Sequence, residues 1–274
     1  MTATQPDAAL EEDGRWARRL PRQPVVYLAG IFIALFVPRL VGTMLSLAGL
    51  VTDDASGVRW NWLTALITVA LLALFVVHVE KLPIRTLFPG RLKIRHLGAA
   101  FAFVLVLRFG GGPVPLIVAA IFLPRRPPGR GRELLLWALS AAVVLAVGMV
   151  LFSAAVDAWS LGTAPSGGGG RAIISSLSIA ERLLLVVSVS FAEEVRYRSY
   201  TIERLHGLGL PAGLAALLSY IVFVAAHIPF FGLEHVLRVT AIGSVGFPIL
   251  YYLTRSFWAC VALHFLLDIF ILAL

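Results

Sequence analysis

The sequence predicts an all-α, polytopic membrane protein with about seven or eight transmembrane helices of about 20 apolar residues each. Composition is the first reason. Of 274 residues, 59% are hydrophobic and 14% are charged, whereas soluble domains carry roughly 45–50% and about 25%. A mean hydropathy of +0.90 agrees. Spacing is the second: the apolar residues fall into long uncharged runs, and the basic residues gather in the short stretches between them.

The runs define the elements in order. A tail at 1–20, with Glu11, Glu12 and Asp13 ahead of an Arg-rich patch, is expected to be cytoplasmic and not a cleavable signal. The first span is expected from Pro24 to Leu50, interrupted at Pro38-Arg39, and the second from Trp60 to Val79. A basic, proline-containing loop follows at Lys81–Arg95. Leu97–Leu123 carries Arg108-Phe109-Gly110-Gly111-Gly112-Pro113 at its middle. Glycine and proline break helices there, and an arginine is costly at the bilayer centre. A helical hairpin that enters and returns is the expectation, because both flanks are basic. Leu134–Val156 is the next span, followed by a glycine-rich loop at Gly162–Gly170. The remaining segments are Ile173–Arg204, Leu210–Phe231, Val239–Thr254 and Phe257–Leu274. The chain therefore divides into the tail, a transmembrane region at 21–170 and a second transmembrane region at 171–274.

The net charge of +8 does not point to nucleic acid. Its carriers cluster at Arg15–Arg22, Lys81–Arg95, Arg125–Arg132 and Arg196–Arg204, beside apolar runs, as cytoplasmic loops do under the positive-inside rule. Such stretches also suit anionic lipid headgroups. Membrane lipids are thus expected partners, in a bacterial-type plasma membrane with the N-terminus cytoplasmic. The single cysteine, Cys260, forms no intramolecular disulfide or cysteine cluster and reads as a small core residue.

Ionisable residues inside spans are expensive and usually functional, and they concentrate in the last hundred residues. Glu193 and Glu194 are adjacent near the end of an apolar run. Arg198 stands four residues after Glu194, the spacing at which helix side chains meet. It can neutralise Glu194 and leave Glu193, about 100° around the helix, free for other work. Equally, these residues can simply begin a cytoplasmic loop. Phe223 and His227 share a face at i, i+4; a lone histidine there is often only a helix–helix contact. His264 and Asp268, again at i, i+4, converge in the final span. With a rise of about 1.5 Å per residue, Glu193, His227 and His264 fall at similar depths near the middle of a core about 30 Å thick.

These residues resemble the CAAX protease and bacteriocin-processing family, which includes the type II CAAX prenyl proteases. Its three motifs read here as Glu193-Glu194-x-x-x-Arg198, Phe223-x-x-x-His227 and His264-x-x-x-Asp268, in order, over about residues 175–274. The resemblance implies a glutamate-dependent intramembrane endopeptidase acting on a peptide or protein substrate in or at the membrane, with or without a lipid anchor. Glu193 and His227 would position and deprotonate water, His264 with Asp268 would stabilise the oxyanion, and Arg198 would hold Glu194. Asp268 stands where well-studied eukaryotic-type members carry asparagine. Since an ionised aspartate only accepts hydrogen bonds, Asp268 would have to be protonated, orient His264 or bind a metal. No cofactor is required on this reading. The alternative is a zinc enzyme with Glu193, His227, His264 and Asp268 as ligands, although H-E-x-x-H is lacking.

Two other readings compete. Glu193, His227 and Asp268 could form the proton or cation relay of a transporter, against which stand the missing internal repeat and the confinement of polar residues to one half. An inert scaffold that keeps the fold is the third. Hydrolysis inside a bilayer further demands a polar cavity that admits water.

Overall fold

The structure is a computed structural model that describes residues 24–51, 54–94, 96–98, 100, 104, 174, 176–233 and 236–272. The expected tail, most of the 97–123 hairpin, the span Leu134–Val156 and the glycine loop lie outside the described residues. Among the described residues every regular element is helical. Helices α1 (Pro24–Leu47) and α2 (Asp54–His78) come first, followed by a 3-10 turn at Ile84–Leu87. Helix α3 (Ile179–Glu193) runs on as a π-helix, Glu194–Ile202, and then as α4 (Glu203–Gly207). Next come α5 (Ala212–Phe231), a π-helical turn at Val236–Thr240, α6 (Ala241–Ser244), α7 (Gly246–Thr254) and α8 (Phe257–Leu272).

Pro24–Leu47, Trp60–His78 and Ala212–Phe231 are long and apolar enough to cross a membrane, and Ala241–Thr254 and Phe257–Ile269 are shorter apolar helices. The larger number of spans expected from the sequence is not reached among the described residues. Large apolar side chains cover the outside: Val25, Leu28 and Phe32 on one face of α1, Leu66 and Leu74 on α2, Leu183 and Val187 on α3. Water would make such a surface an association hazard, whereas hydrocarbon accepts it and demands only that the backbone bond internally, as helices do. The protein is an integral membrane protein.

Local chemistry sets the helix ends. Ser178 caps α3: its Oγ accepts from Glu181 N–H at 3.3 Å, and Glu181 Oε2 accepts from Ser178 N–H at 2.8 Å, a reciprocal capping box. Ser256 Oγ accepts from Ala259 N–H at 3.3 Å in the first turn of α8. Arg255, in the left-handed region at φ 49°, ends α7.

Two expectations for the spans are corrected. The first span is not interrupted at Pro38-Arg39, because α1 continues through both residues. Pro38 has no N–H, so the Ala34 carbonyl one turn earlier loses its helical partner. Arg196 Nε donates to that carbonyl at 2.8 Å, which ties α1 to the π-helix. Nor is Arg196–Arg204 a solvated loop. The chain stays helical to Gly207, and Arg198 and Arg204 are buried because each has a carboxylate partner, Glu194 and Glu80 respectively.

The core lies where α1, α2, the π-helix, α5 and α8 meet, around Leu72, Val195, Tyr200, Phe223, Tyr251 and Leu263. Gly30 is a packing notch in α1: a Cβ there would come 1.6 Å from the Tyr200 hydroxyl and 2.8 Å from Phe75. Gly30→Ala is therefore expected to destabilise the protein by about 1–3 kcal/mol, the usual cost of overpacking. Thermal unfolding in detergent measures this. An unchanged midpoint would mean that α1 and the π-helix are not packed this closely.

Candidate active site

The change from α3 to the π-helix occurs between Glu193 and Glu194. Single π turns inside helices are frequent at functional sites, where the i→i+5 pattern re-aims side chains. Here both glutamates turn toward one imidazole. Glu194 Oε1 lies 2.9 Å from His264 Nδ1, and Glu193 Oε2 lies 3.8 Å from His264 Nε2. Glu194 Oε2 meets Arg198 Nε at 3.3 Å, with both side chains fully buried. The i, i+4 pair expected from the sequence is present, and it shares its carboxylate with His264.

Arg198 has a second kind of partner. Its guanidinium carbon lies 4.4 Å from the centre of the Phe223 ring and 5.0 Å from that of Phe247. Desolvated cation–π contacts of this kind contribute about 2 kcal/mol. Phe223 also packs against the His227 ring at 4.5 Å, and Phe247 stacks on His264 at 4.5 Å with 23° between planes. These two phenylalanines position the cation and both histidines.

His227, on α5, directs Nδ1 to the Phe223 carbonyl at 2.8 Å. A carbonyl only accepts, so this ring nitrogen carries the proton and Nε2 presents a lone pair. Nε2 faces Glu193 Oε1 at 4.0 Å. His264 follows the same logic, since Glu194, ion-paired to Arg198, accepts from Nδ1–H. In their neutral forms both histidines therefore point an acceptor at Glu193, whose Oε2 is itself buried without a hydrogen-bond partner. Three acceptors thus converge on one another, and their separations of 3.8 and 4.0 Å exceed direct hydrogen bonds.

Asp268 Oδ2 lies 3.6 Å from His264 Nε2 and accepts from Ser190 Oγ–H at 3.4 Å. Asp268 thus lies on the Nε2 side of His264, and Glu194, not Asp268, anchors the ring through Nδ1. The cluster is graded in exposure: Asp268, His227 and Glu193 side chains are 26%, 19% and 17% exposed, against 6% for His264 and none for Glu194. One side is open and the other is sealed.

All six residues singled out in the sequence, Glu193, Glu194, Arg198, His227, His264 and Asp268, come together. Sequence reasoning missed Ser190, Phe247 and the part played by Phe223. Ser190 had a usable signal, one helical turn before Glu193 on the same face; Phe247 had none in its apolar run.

The zinc alternative can be tested on the same distances. Ligand atoms around a tetrahedral zinc at about 2.0–2.1 Å stand roughly 3.3 Å apart. The pairs here are 3.6–4.0 Å apart, and among the described residues no group of three His, Cys, Asp or Glu side chains is placed to hold one metal ion. The donor set does not fit zinc as arranged. A cavity of about 470 Å³ runs along α1 and α2, lined by apolar residues and His78; none of the six residues lines it, so it is not the polar cavity that hydrolysis requires.

The fold and the site together define a class, an integral membrane protein with a carboxylate–imidazole cluster buried among its helices. Residues 175–270 match the family model described as Type II CAAX prenyl endopeptidase Rce1-like, which agrees with the resemblance carried by the three motifs. That stretch is about a third of the chain and holds every residue of the cluster. No curated protein and no solved structure matches the chain.

Proposed function

We propose that the protein is an intramembrane endopeptidase that hydrolyses a peptide bond of a membrane-associated, lipidated substrate without a metal ion. The observation that carries this reading is the convergence of Glu193, His227 Nε2 and His264 Nε2. A water there can donate to Glu193 and His227 at once. Glu193 takes its proton as the oxygen attacks the carbonyl carbon, His227 fixes the direction of attack, and Glu193 returns the proton to the leaving amine as the C–N bond breaks. His264 gives Nδ1–H to Glu194, so it can also donate from Nε2 to the developing oxyanion only as an imidazolium. Arg198 pairs with the other oxygen of Glu194. Asp268 adds a donor to the oxyanion only in its acid form. The family name supplies the expectation of a prenylated tail.

The test is cleavage of membrane-tethered, internally quenched peptides bearing prenyl or acyl anchors by wild type and Glu193→Gln, with and without a strong chelator. Chelator-resistant cleavage that disappears in Glu193→Gln supports the reading. Chelator-sensitive cleavage restored by zinc would replace it with a metal mechanism.

Asp268 gives a sharper prediction. One oxyanion-hole donor is worth about 10²–10³ in kcat. Asp268→Asn supplies an amide donor at every pH and should keep kcat within about tenfold, while Asp268→Leu should lose the full hundred- to thousandfold. Steady-state rates on one peptide decide it: equal losses in both variants would show that the carboxyl itself is needed.

A further inference from the structure

Of the three helical runs that carry the cluster, two are α3 with its π-helix (Glu193, Glu194, Arg198) and α8 (His264, Asp268), the third being α5 (His227). The spacing of the first two sets the separation of Glu193 Oε2 from His264 Nε2. One short segment outside the family-matched stretch touches both runs. Glu80, at the end of α2, has a fully buried side chain. Its Oε1 accepts from Tyr200 Oη–H at 2.6 Å and from Arg204 Nε–H at 3.0 Å, and its Oε2 accepts from Arg204 Nη2–H at 2.5 Å. This holds the run just beyond Arg198.

Ten residues on, the same segment reaches α8. Pro89 O accepts from Phe257 N–H at 3.0 Å, and Arg91 O accepts from Ser256 Oγ–H at 3.2 Å. These bonds satisfy groups at the start of α8 that no helical partner can reach. Gly90, at φ +75°, is the contact point: a Cβ there would lie 2.3 Å from the Arg255 carbonyl oxygen, backbone that cannot give way. Between the two anchors, Phe88 packs its ring against both Phe191, two residues before Glu193, and Phe257, with centroids 5.8 and 5.3 Å away, and closes a three-ring cluster in which Phe191 and Phe257 also meet at 5.4 Å.

We propose that residues 80–91 are a brace that sets the distance between the two catalytic runs, with Glu80, Phe88 and Gly90 as positioning residues for the reaction. The proposal rests on the protease reading for its rate effects. A displacement of about 1 Å at a reacting centre can cost about a hundredfold in rate, so loosening the brace lowers kcat without altering how the substrate tail binds.

The experiment compares full-length wild type, Glu80→Gln, Phe88→Leu and Gly90→Ala in vesicles, with Leu72→Ala as a control. Leu72 is fully buried in the core and makes none of the hydrogen bonds or ring contacts of the brace. Cleavage of a prenylated, internally quenched peptide is measured alongside hydrogen exchange of backbone amides in 194–204 and 257–264. For Glu80→Gln and Gly90→Ala the expected result is a ten- to hundredfold fall in kcat, an unchanged KM, and faster exchange in both segments. Glu80→Asp should recover part of the rate. Leu72→Ala should lower thermal stability while its folded fraction keeps the wild-type kcat. If Glu80→Gln, Phe88→Leu and Gly90→Ala all keep the wild-type kcat, or if Leu72→Ala loses rate equally at matched stability, the brace is overturned. Unchanged exchange in both segments overturns it whatever reaction the site performs. Full cleavage by a Glu193→Gln control instead removes the protease reading and leaves the exchange result to judge the brace.

Discussion

Glu193→Gln should reduce kcat roughly a hundred- to ten-thousandfold, the range over which general-base catalysis operates, while leaving thermal stability unchanged. The substitution keeps size and one acceptor oxygen and removes the group that can take a proton. Stability should hold because, among the described residues, Glu193 forms no ion pair with a permanent cation: its ionisable partners are the two imidazoles at 4.0 and 3.8 Å. The measurement is a single-turnover cleavage assay beside thermal unfolding in the same detergent. A variant that unfolds early would make Glu193 a structural residue; one that cleaves at the wild-type rate would remove it as the base.

The second large effect concerns Arg198. Arg198→Met leaves Glu194 buried with its charge uncompensated, and breaking a buried pair from one side costs about 3–5 kcal/mol. The loss of the cation over Phe223 and Phe247 adds to this. Activity should fall with stability, since Glu194 also holds His264 Nδ1. Arg198→Met with Glu194→Gln should recover much of the stability, because replacing a whole buried pair with neutral groups is often nearly free. It should not recover the rate, since the anionic acceptor that lets His264 donate from both nitrogens has gone. Thermal midpoints and cleavage rates of the two variants separate these terms. A single variant as stable as wild type would show that the Arg198–Glu194 pair does not hold the fold.

The three local pairs were legible in the sequence for a simple reason. On a helix, residues four apart face the same way, so Glu194/Arg198, Phe223/His227 and His264/Asp268 were neighbours before any tertiary contact was known. The spans α1, α2 and α5 were legible because an uncharged run of that length has one economical use. Where the reading failed, a long-range partner changed the meaning of a local signal. Pro38 looked like a break, but Arg196 supplies a donor to the carbonyl that proline strands. The basic run Arg196–Arg204 looked like a loop, but Glu194 and Glu80 make burial affordable for Arg198 and Arg204.

Periodicity and charge placement are properties of neighbouring residues, and they were enough to identify a helical membrane protein and to bring six residues, five of them polar, into three pairs. Only the packing of helices assigned each ring nitrogen of His264 its own carboxylate, stacked Phe247 on that ring, and brought Glu80 and Pro89 to helices more than a hundred residues away in sequence. Contacts at that separation leave no period in the chain, because they depend on where two rigid helices cross and not on how either repeats.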